Sequence, residues 1–85
     1  GDFPENVVVQ AWERSRGFCE CKRTVHRWHY WGWCSQRLVW EYRGQDDFAG
    51  WVPHHKVPQE REGSDDLSNC EIVCRNCYKQ ILAFG

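Results

Sequence analysis

The sequence lacks the features that mark a membrane protein, a secreted protein or a strongly basic nucleic-acid binder. No part of it approaches the ~20 consecutive apolar residues of a transmembrane helix, so no membrane association is expected. It begins without the apolar segment of a signal peptide, which predicts reduced thiols, as in the cytoplasm. The net charge is −1, which does not by itself indicate a nucleic-acid partner. With only 85 residues, an apolar core is expected to need help from a metal, disulfides or a partner.

The charge is divided unevenly along the chain. Residues 14–43 carry seven Arg and Lys side chains against two Glu, a balance of +5. Residues 46–85 carry four basic and seven acidic side chains, a balance of −3. A basic first half can face phosphate groups, but the same pattern also fits an ordinary solvated surface, and both interpretations stay open.

Patterning predicts a small α+β domain that takes in the whole chain, residues 1–85. The expected order is helix, loop, strand, strand, helix. The first helix is predicted over residues 1–16, because a proline suits its first turn and a glycine follows its end. The closing helix is predicted at about residues 75–83, with Ile81 and Leu82 facing inward.

Two extended segments are predicted between the helices. Residues 36–43 alternate between apolar and polar side chains, which is typical of a half-buried strand. Residues 51–57 form a second extended segment that two prolines confine to a sheet edge or an irregular pairing. Residues 18–35 show no clear period and are interpreted as an ordered loop held by metal.

Six cysteines dominate the chemistry of the chain. An even number can form three disulfides, but these fall into two tight clusters far apart in sequence, which favours a divided zinc site. They are Cys19, Cys21, Cys34, Cys70, Cys74 and Cys77. Cys74 and Cys77 have the Cys-x-x-Cys spacing that directs two sulfurs at one ion from a turn.

The N-terminal half of the zinc site is predicted to be Cys19 and Cys34. Cys19 and Cys21 are one residue closer than the usual pair, whereas Cys34 leads directly into the predicted strand. Cys21 is the alternative ligand. Cys70 lies among apolar residues, which predicts a buried core thiol.

An aromatic-rich stretch lies between Cys21 and Cys34. It contains Trp28, Tyr30, Trp31 and Trp33 together with His26 and His29. These aromatic rings can stack on bases or enlarge a small core. The two histidines can enter the metal site, pack, or face solvent.

His54 and His55 are adjacent in the second extended segment. Neighbouring side chains on a strand project to opposite sides. One histidine can therefore hold a divalent ion while the other faces a water or a substrate. The pair can equally be two exposed polar residues on an edge strand.

The order of these motifs resembles the HNH nuclease family. The matching features span residues 11–80 and include the cysteine groups, the His-His segment, a Gly/Asp loop, Asn69 and the final Cys-x-x-Cys. The resemblance implies a zinc-bound ββα-metal fold, in which a two-stranded hairpin and a helix surround a catalytic metal, here with an added N-terminal helix.

The resemblance also implies a function, namely a metal-dependent endonuclease that hydrolyses phosphodiester bonds in DNA. By position, His54 is the ligand of a catalytic divalent metal such as Mg²⁺, and His55 is the general base. Asn69 is expected to hold the loop and orient His55. The metal would act as a Lewis acid, and histidine suits the base role because its ordinary pKa is near 6.5. Basic side chains can hold the nucleic-acid backbone, but ordinary surface charge is the favoured interpretation for each: Arg14, Arg16, Lys56 and Lys79.

One signature position departs from the family pattern. Tyr78 stands where the family has a metal-binding His, or Asn in a variant, and a neutral phenol is a poor ligand for a hard divalent ion. Catalysis can be lost with DNA binding retained, or Tyr78 or a nearby carboxylate can complete a weaker site, or a single base change replaced the histidine. A milder departure is Glu62-Gly63 in place of Gly-Gly. A DNA-binding module without activity and a zinc domain for protein interaction are the alternative functions.

Overall fold

The computed structural model of the chain describes residues 2–23 and 34–84. Its regular elements are α1 (Glu5–Ser15), β1 (Trp51–His55), β2 (Cys70–Cys74) and α2 (Arg75–Phe84), with 3₁₀ turns at Trp40–Tyr42, Gln59–Arg61 and Leu67–Asn69. The predicted small α+β fold is confirmed. Among the described residues, no helix has the length and apolarity needed to cross a bilayer.

Helix α1 begins directly after Pro4, whose carbonyl accepts the first helical hydrogen bonds. Val8 and Ala11, three residues apart, are its buried face. The helix ends where Arg16 takes a left-handed conformation (φ 57°) and its N–H donates to Trp12 O at 3.0 Å. The predicted helix is therefore confirmed, within narrower bounds.

Strands β1 and β2 form a two-stranded antiparallel sheet. The register places His54 opposite Glu71 and His55 opposite Cys70. Every residue of β2 is buried, so the strand shows none of the alternation that marks a half-exposed strand. The second extended segment was predicted correctly as β1. The strand predicted at residues 36–43 is wrong, and the partner of β1 is β2.

The region predicted as a strand instead splits in two. Residues 34–38 pair with residues 17–21 through three backbone hydrogen bonds, a unit we call the cysteine ribbon. The bonds are Leu38 N to Gly17 O at 2.7 Å, Cys19 N to Gln36 O at 2.9 Å and Cys34 N to Cys21 O at 2.7 Å. The chain then turns through Trp40–Tyr42.

Trp51 explains why the chain turns there. It is fully buried, and its Nε1 donates to Val39 O (3.0 Å) and Trp40 O (3.2 Å). The Trp12 and Trp40 rings lie with their centroids 4.8 and 5.3 Å from it. Of the apolar side chains whose spacing suggested a strand, Trp40 packs on Trp51 and Leu38 is buried in the core, whereas Tyr42 is 38% exposed.

Helix α2 packs on both strands through one face. Ile81 is half-buried against the core, as predicted. Leu82 is 69% exposed, so its predicted inward orientation is wrong. Adjacent residues on a helix lie about 100° apart, which prevents both from facing the same narrow core.

An ion pair joins α1, the cysteine ribbon and β2. Arg14 donates to both carboxylate oxygens of Glu20, at 2.7 and 2.6 Å, and also to Cys70 O at 2.6 Å. Glu20 Oε1 accepts the Ile72 N–H at 2.9 Å, and the Glu20 N–H donates to Ile72 O at 2.7 Å. Arg14, a candidate for backbone contacts, is therefore used to hold three segments together.

Candidate functional site

Four buried cysteines come together at one end of the sheet. Their sulfur atoms lie within 4.8 Å of one another; the residues are Cys19, Cys34, Cys74 and Cys77. The Cys34 and Cys74 sulfurs are 4.0 Å apart. Four thiolates at ~2.3 Å from a tetrahedral zinc are about 3.8 Å apart, so this quartet fits a metal of that kind.

The backbone prepares the quartet for a cation. Cys19 and Cys34 come from the ribbon, Cys74 ends β2 and Cys77 lies in the first turn of α2. The Cys74 N–H donates to Cys19 Sγ at 3.2 Å, and the Cys77 N–H to Cys74 Sγ at 3.4 Å. Hydrogen bonds among the four thiols lower the pKa of Cys34 and Cys74 and raise the pKa of Cys19 and Cys77, so without an ion the quartet holds its protons unequally.

The other two cysteines lie outside this group of four. Cys21 is buried, with Arg23 Nη1 3.6 Å from its sulfur. Cys70 is a core thiol, as predicted, and burial raises its pKa to about 11. His26, His29 and the aromatic residues between them and Cys34 lie outside the described residues.

His55 is held between a carboxylate and an aromatic ring. Its Nε2 lies 2.8 Å from Asp65 Oδ1. Phe3, just before α1, stacks on the imidazole with centroids 3.8 Å apart and planes 15° apart. A carboxylate is an acceptor only, so Nε2 carries the proton and Nδ1 keeps the lone pair in the neutral ring. The arrangement presents one basic nitrogen in a defined orientation.

Asn69 holds the loop between the strands. Its Oδ1 accepts the Val57 N–H at 2.8 Å, and its Nδ2 donates to Val57 O at 3.0 Å and Ser64 O at 2.8 Å. These bonds all go to the loop backbone. Any effect of Asn69 on His55 is therefore carried by the loop, which also bears Asp65.

His54 faces a different set of partners, on the side of the sheet covered by α2. Its Nδ1 lies 3.3 Å from Glu71 Oε1, and the Tyr78 ring stands at 70° to the imidazole with centroids 6.0 Å apart. Arg23 Nη1 donates to the same Glu71 oxygen at 3.0 Å. Burial raises the pKa of Glu71, but the hydrogen bond with His54 and the Arg23 charge outweigh it, and the pKa lies below its usual range.

An ion beside His54 would have fewer protein ligands than an ion in the cysteine quartet. Across residues 2–23 and 34–84, the cysteine quartet is the one group of three or more His, Cys, Asp or Glu that can surround an ion. His54 Nδ1 and Glu71 Oε1 are nevertheless close to the ~3 Å that separates adjacent ligands of Mg²⁺. These two side chains fit an ion held from one side, with water or substrate completing its shell.

Several basic side chains are neutralised within the fold. Arg43 pairs with Glu5 at 2.9 Å and Lys79 with Asp46 at 2.7 Å. Arg16 and Lys56 are exposed. Over residues 2–23 and 34–84, the uneven charge of the sequence therefore does not translate into an uninterrupted basic surface.

Comparison with known proteins decides the family. The model of the HNH endonuclease family matches residues 34–81, more than half of the chain. The chain belongs to the HNH endonuclease family. No curated protein matches it. The matched segment of the HNH domain includes β1, β2 and α2, so the sheet, the histidine pair and the Cys-x-x-Cys lie within it, while α1 and Cys19 precede it. The predicted resemblance is confirmed, and membership marks a nuclease-type domain with nucleic acid as the expected partner.

Three residues of this HNH domain escaped sequence reasoning. Phe3 and Asp65 are far from His55 in sequence, and only the tertiary fold brings them to it. Glu71 carries a weak signal, because it is the one charged residue between Cys70 and Cys74. An acidic residue inside a fully buried strand needs a partner, which could have drawn attention to His54 opposite.

Proposed function

We propose that this HNH domain is a metal-dependent endonuclease that hydrolyses phosphodiester bonds in DNA. The observation that supports it most directly is the orientation of His55 between Phe3 and Asp65, next to His54 on the same strand. Two unused histidines on an edge strand would give no reason for His55 to be held by Phe3 on one ring face and by Asp65 at its Nε2 edge.

His55 acts as the general base in this proposal. Its Nδ1 takes a proton from the attacking water, and the Asp65 carboxylate stabilises the imidazolium that results. Phe3 keeps the ring from rotating, which preserves the line between Nδ1 and the water. Asn69 supports this geometry by closing the loop that carries Asp65.

His54 would hold the catalytic divalent ion, Mg²⁺ or a similar metal. When bound, that ion supplies Lewis-acid stabilisation of charge on the phosphate. His54 lies on the face covered by α2, where the family pattern puts its metal, and its imidazole nitrogen points at Glu71. We assign zinc to the cysteine quartet, since four thiolates in a closed tetrahedron suit a structural zinc.

Plasmid nicking tests the proposal. The zinc-loaded domain is expected to nick supercoiled DNA with Mg²⁺, Mn²⁺ or Ni²⁺, and His55→Ala to abolish nicking. Asp65→Asn is expected to slow it by about 10²-fold, within the range typical of general-base assistance. Asp66→Asn is the matched control, because Asp66 is exposed and next in sequence. Nicking that survives His55→Ala would rule out this mechanism.

A DNA-binding HNH module without catalysis is the second candidate. It is favoured by Tyr78, whose ring stands beside His54 and offers a neutral phenol, a poor ligand for a hard divalent ion. Salt-dependent DNA binding without cleavage under any of the three metals would select it. Recovery of nicking in Tyr78→His would then identify Tyr78 as the residue that removed activity.

A further inference from the structure

We infer that Glu71 is the carboxylate that joins His54 in holding the catalytic ion, and that Arg23 competes with the ion for it. The inference rests on the proposed function, because it deepens the description of the same site. It starts from Tyr78, which faces His54 from α2 with a phenol, a poor ligand for a hard divalent ion.

The register of the sheet places Glu71 beside His54, where an ion held by one histidine needs a further ligand. Glu71 is directly opposite His54 in the antiparallel pair, so both side chains leave the same face of the sheet. Tyr78 covers that face from α2. Both the Glu71 carboxylate of β2 and the Tyr78 phenol of α2 therefore face His54, and the carboxylate is the better ligand of the two.

The distance and burial agree with a ligand role. Glu71 Oε1 is 3.3 Å from His54 Nδ1, near the spacing of two adjacent ligands of one ion. Glu71 is 7% exposed, and buried carboxylates are rare unless a cation or hydrogen-bond donor meets them. A hard divalent ion prefers such an oxygen donor to a phenol.

Glu71 also has access to a charged groove. A cavity of about 720 Å³ is lined by Glu71 together with Lys22 and Lys56. The two ammonium groups suit a phosphate that would supply further ligands to the same ion, as Mg²⁺ commonly takes from its substrates. A phosphate held by these lysines would share the cavity with the Glu71 carboxylate, although Glu20 also lines it.

Arg23 is the cation that occupies this carboxylate in the structure. Its Nη1 donates to Oε1, the same oxygen that faces His54, at 3.0 Å. A divalent ion bound between His54 and Glu71 must share or displace that contact. Removing the Arg23 charge should therefore strengthen metal binding, whereas a purely structural Arg23–Glu71 pair predicts no gain.

Mn²⁺ binding to the zinc-loaded domain tests the inference without DNA, by the loss of the free-ion EPR signal. Glu71→Gln is expected to weaken Mn²⁺ binding by at least about tenfold, because mutating residues that only hydrogen-bond to metal ligands already lowers metal affinity by about 10–100-fold. Arg23→Gln is expected to tighten Mn²⁺ binding by about threefold to tenfold, because it removes the repulsion between the guanidinium charge and an ion a few ångströms away. Arg37→Gln, which removes the same charge from an exposed side chain, is the control.

Cobalt in the cysteine quartet reports whether each variant is folded, through its thiolate absorption bands. Unchanged Mn²⁺ affinity in a folded Glu71→Gln, or weaker binding in Arg23→Gln, overturns the inference, as does wild-type protein that binds no Mn²⁺ at millimolar concentration. If Glu71→Gln does not fold, Arg23→Gln alone decides. If the variants show the expected Mn²⁺ affinities but no protein nicks DNA, Glu71 remains a metal ligand. Only the proposed nuclease activity is then contradicted.

Discussion

Replacing Glu20 by Ala is expected to destabilise the domain by about 2 to 3 kcal/mol. The side chain does two things at once: it accepts the Ile72 N–H of the buried strand β2, and it pairs with both forks of Arg14. Losing the acceptor leaves a buried N–H without a partner, which costs about 1–3 kcal/mol. The Arg14 and Glu20 side chains are 37% and 20% exposed, so solvent screening limits the ion pair to below about 1 kcal/mol.

Urea unfolding of the zinc-loaded protein, followed by tryptophan fluorescence, measures this loss. In thermal unfolding of the same protein, the melting temperature should fall by roughly 10 to 20 °C for a domain of this size. Arg14→Ala should cost less than Glu20→Ala, because the carboxylate then still accepts the Ile72 N–H. Glu41→Ala, at an exposed side chain, should stay within about 0.5 kcal/mol of wild type. A Glu20→Ala loss no larger than that of Glu41→Ala would refute the reasoning.

Further predictions concern the loop, the core thiol and the cysteine quartet. Gly63→Ala should cost about 1–3 kcal/mol, since the added Cβ would lie 1.8 Å from Val57 O. Glu62→Gly should gain about 0.5–1 kcal/mol, because Glu62 has a φ of 64° that glycine adopts without strain. Cys70 keeps its thiol proton to about pH 11, whereas the unfolded chain releases it near pH 9. The unfolded state then binds fewer protons, so stability should fall by about 2 to 3 kcal/mol between those pH values. Cys77→Ser should lower zinc affinity and remove the cooperative unfolding transition, because metal binding in small zinc domains is coupled to folding.

Each of these has a direct check. Urea midpoints compare the two loop variants, which must move in opposite directions. The alkaline loss should disappear in Cys70→Ala, and its persistence there would assign it to another group. Native mass spectrometry before and after chelation counts the zinc, and a Cys77→Ser protein that retains one tightly bound zinc would contradict the quartet.

Sequence patterns were sufficient for parts of the fold that depend on local chemistry. Helix α1 has its start and stop signals nearby, and the Cys-x-x-Cys spacing follows from the geometry of a turn. The gathering of Cys19 and Cys34 with this pair could be anticipated from cysteine order alone. That Cys34 stands across a paired ribbon from Cys21 needed the structure.

Patterns were insufficient where burial is complete or contacts are distant. Strand β2 is buried on both faces, so its sequence has no period-two alternation to detect. Its five residues could be taken for a loop that leads into the Cys-x-x-Cys motif. In residues 36–43, Trp40 packs on Trp51 and the Val39 carbonyl accepts the Trp51 Nε1–H, so the segment is not a strand of a β-sheet. The contact of Phe3 with His55 joins residues 52 positions apart, and no local rule anticipates it.

The hydrogen bond between Cys34 N and Cys21 O has a consequence for how this domain can vary. At 2.7 Å it joins the two arms of the cysteine ribbon at residues 21 and 34. The pairing of residues 17–21 with 34–38, which positions Cys19 and Cys34, is therefore closed at that point. Lengthening a closed loop twofold costs only about 0.6 kcal/mol of chain entropy. Extra residues inserted between Arg23 and Cys34 should therefore cost little stability and leave the cysteine quartet assembled, so a recognition segment can be grafted there without changing the residues that the sheet holds in place.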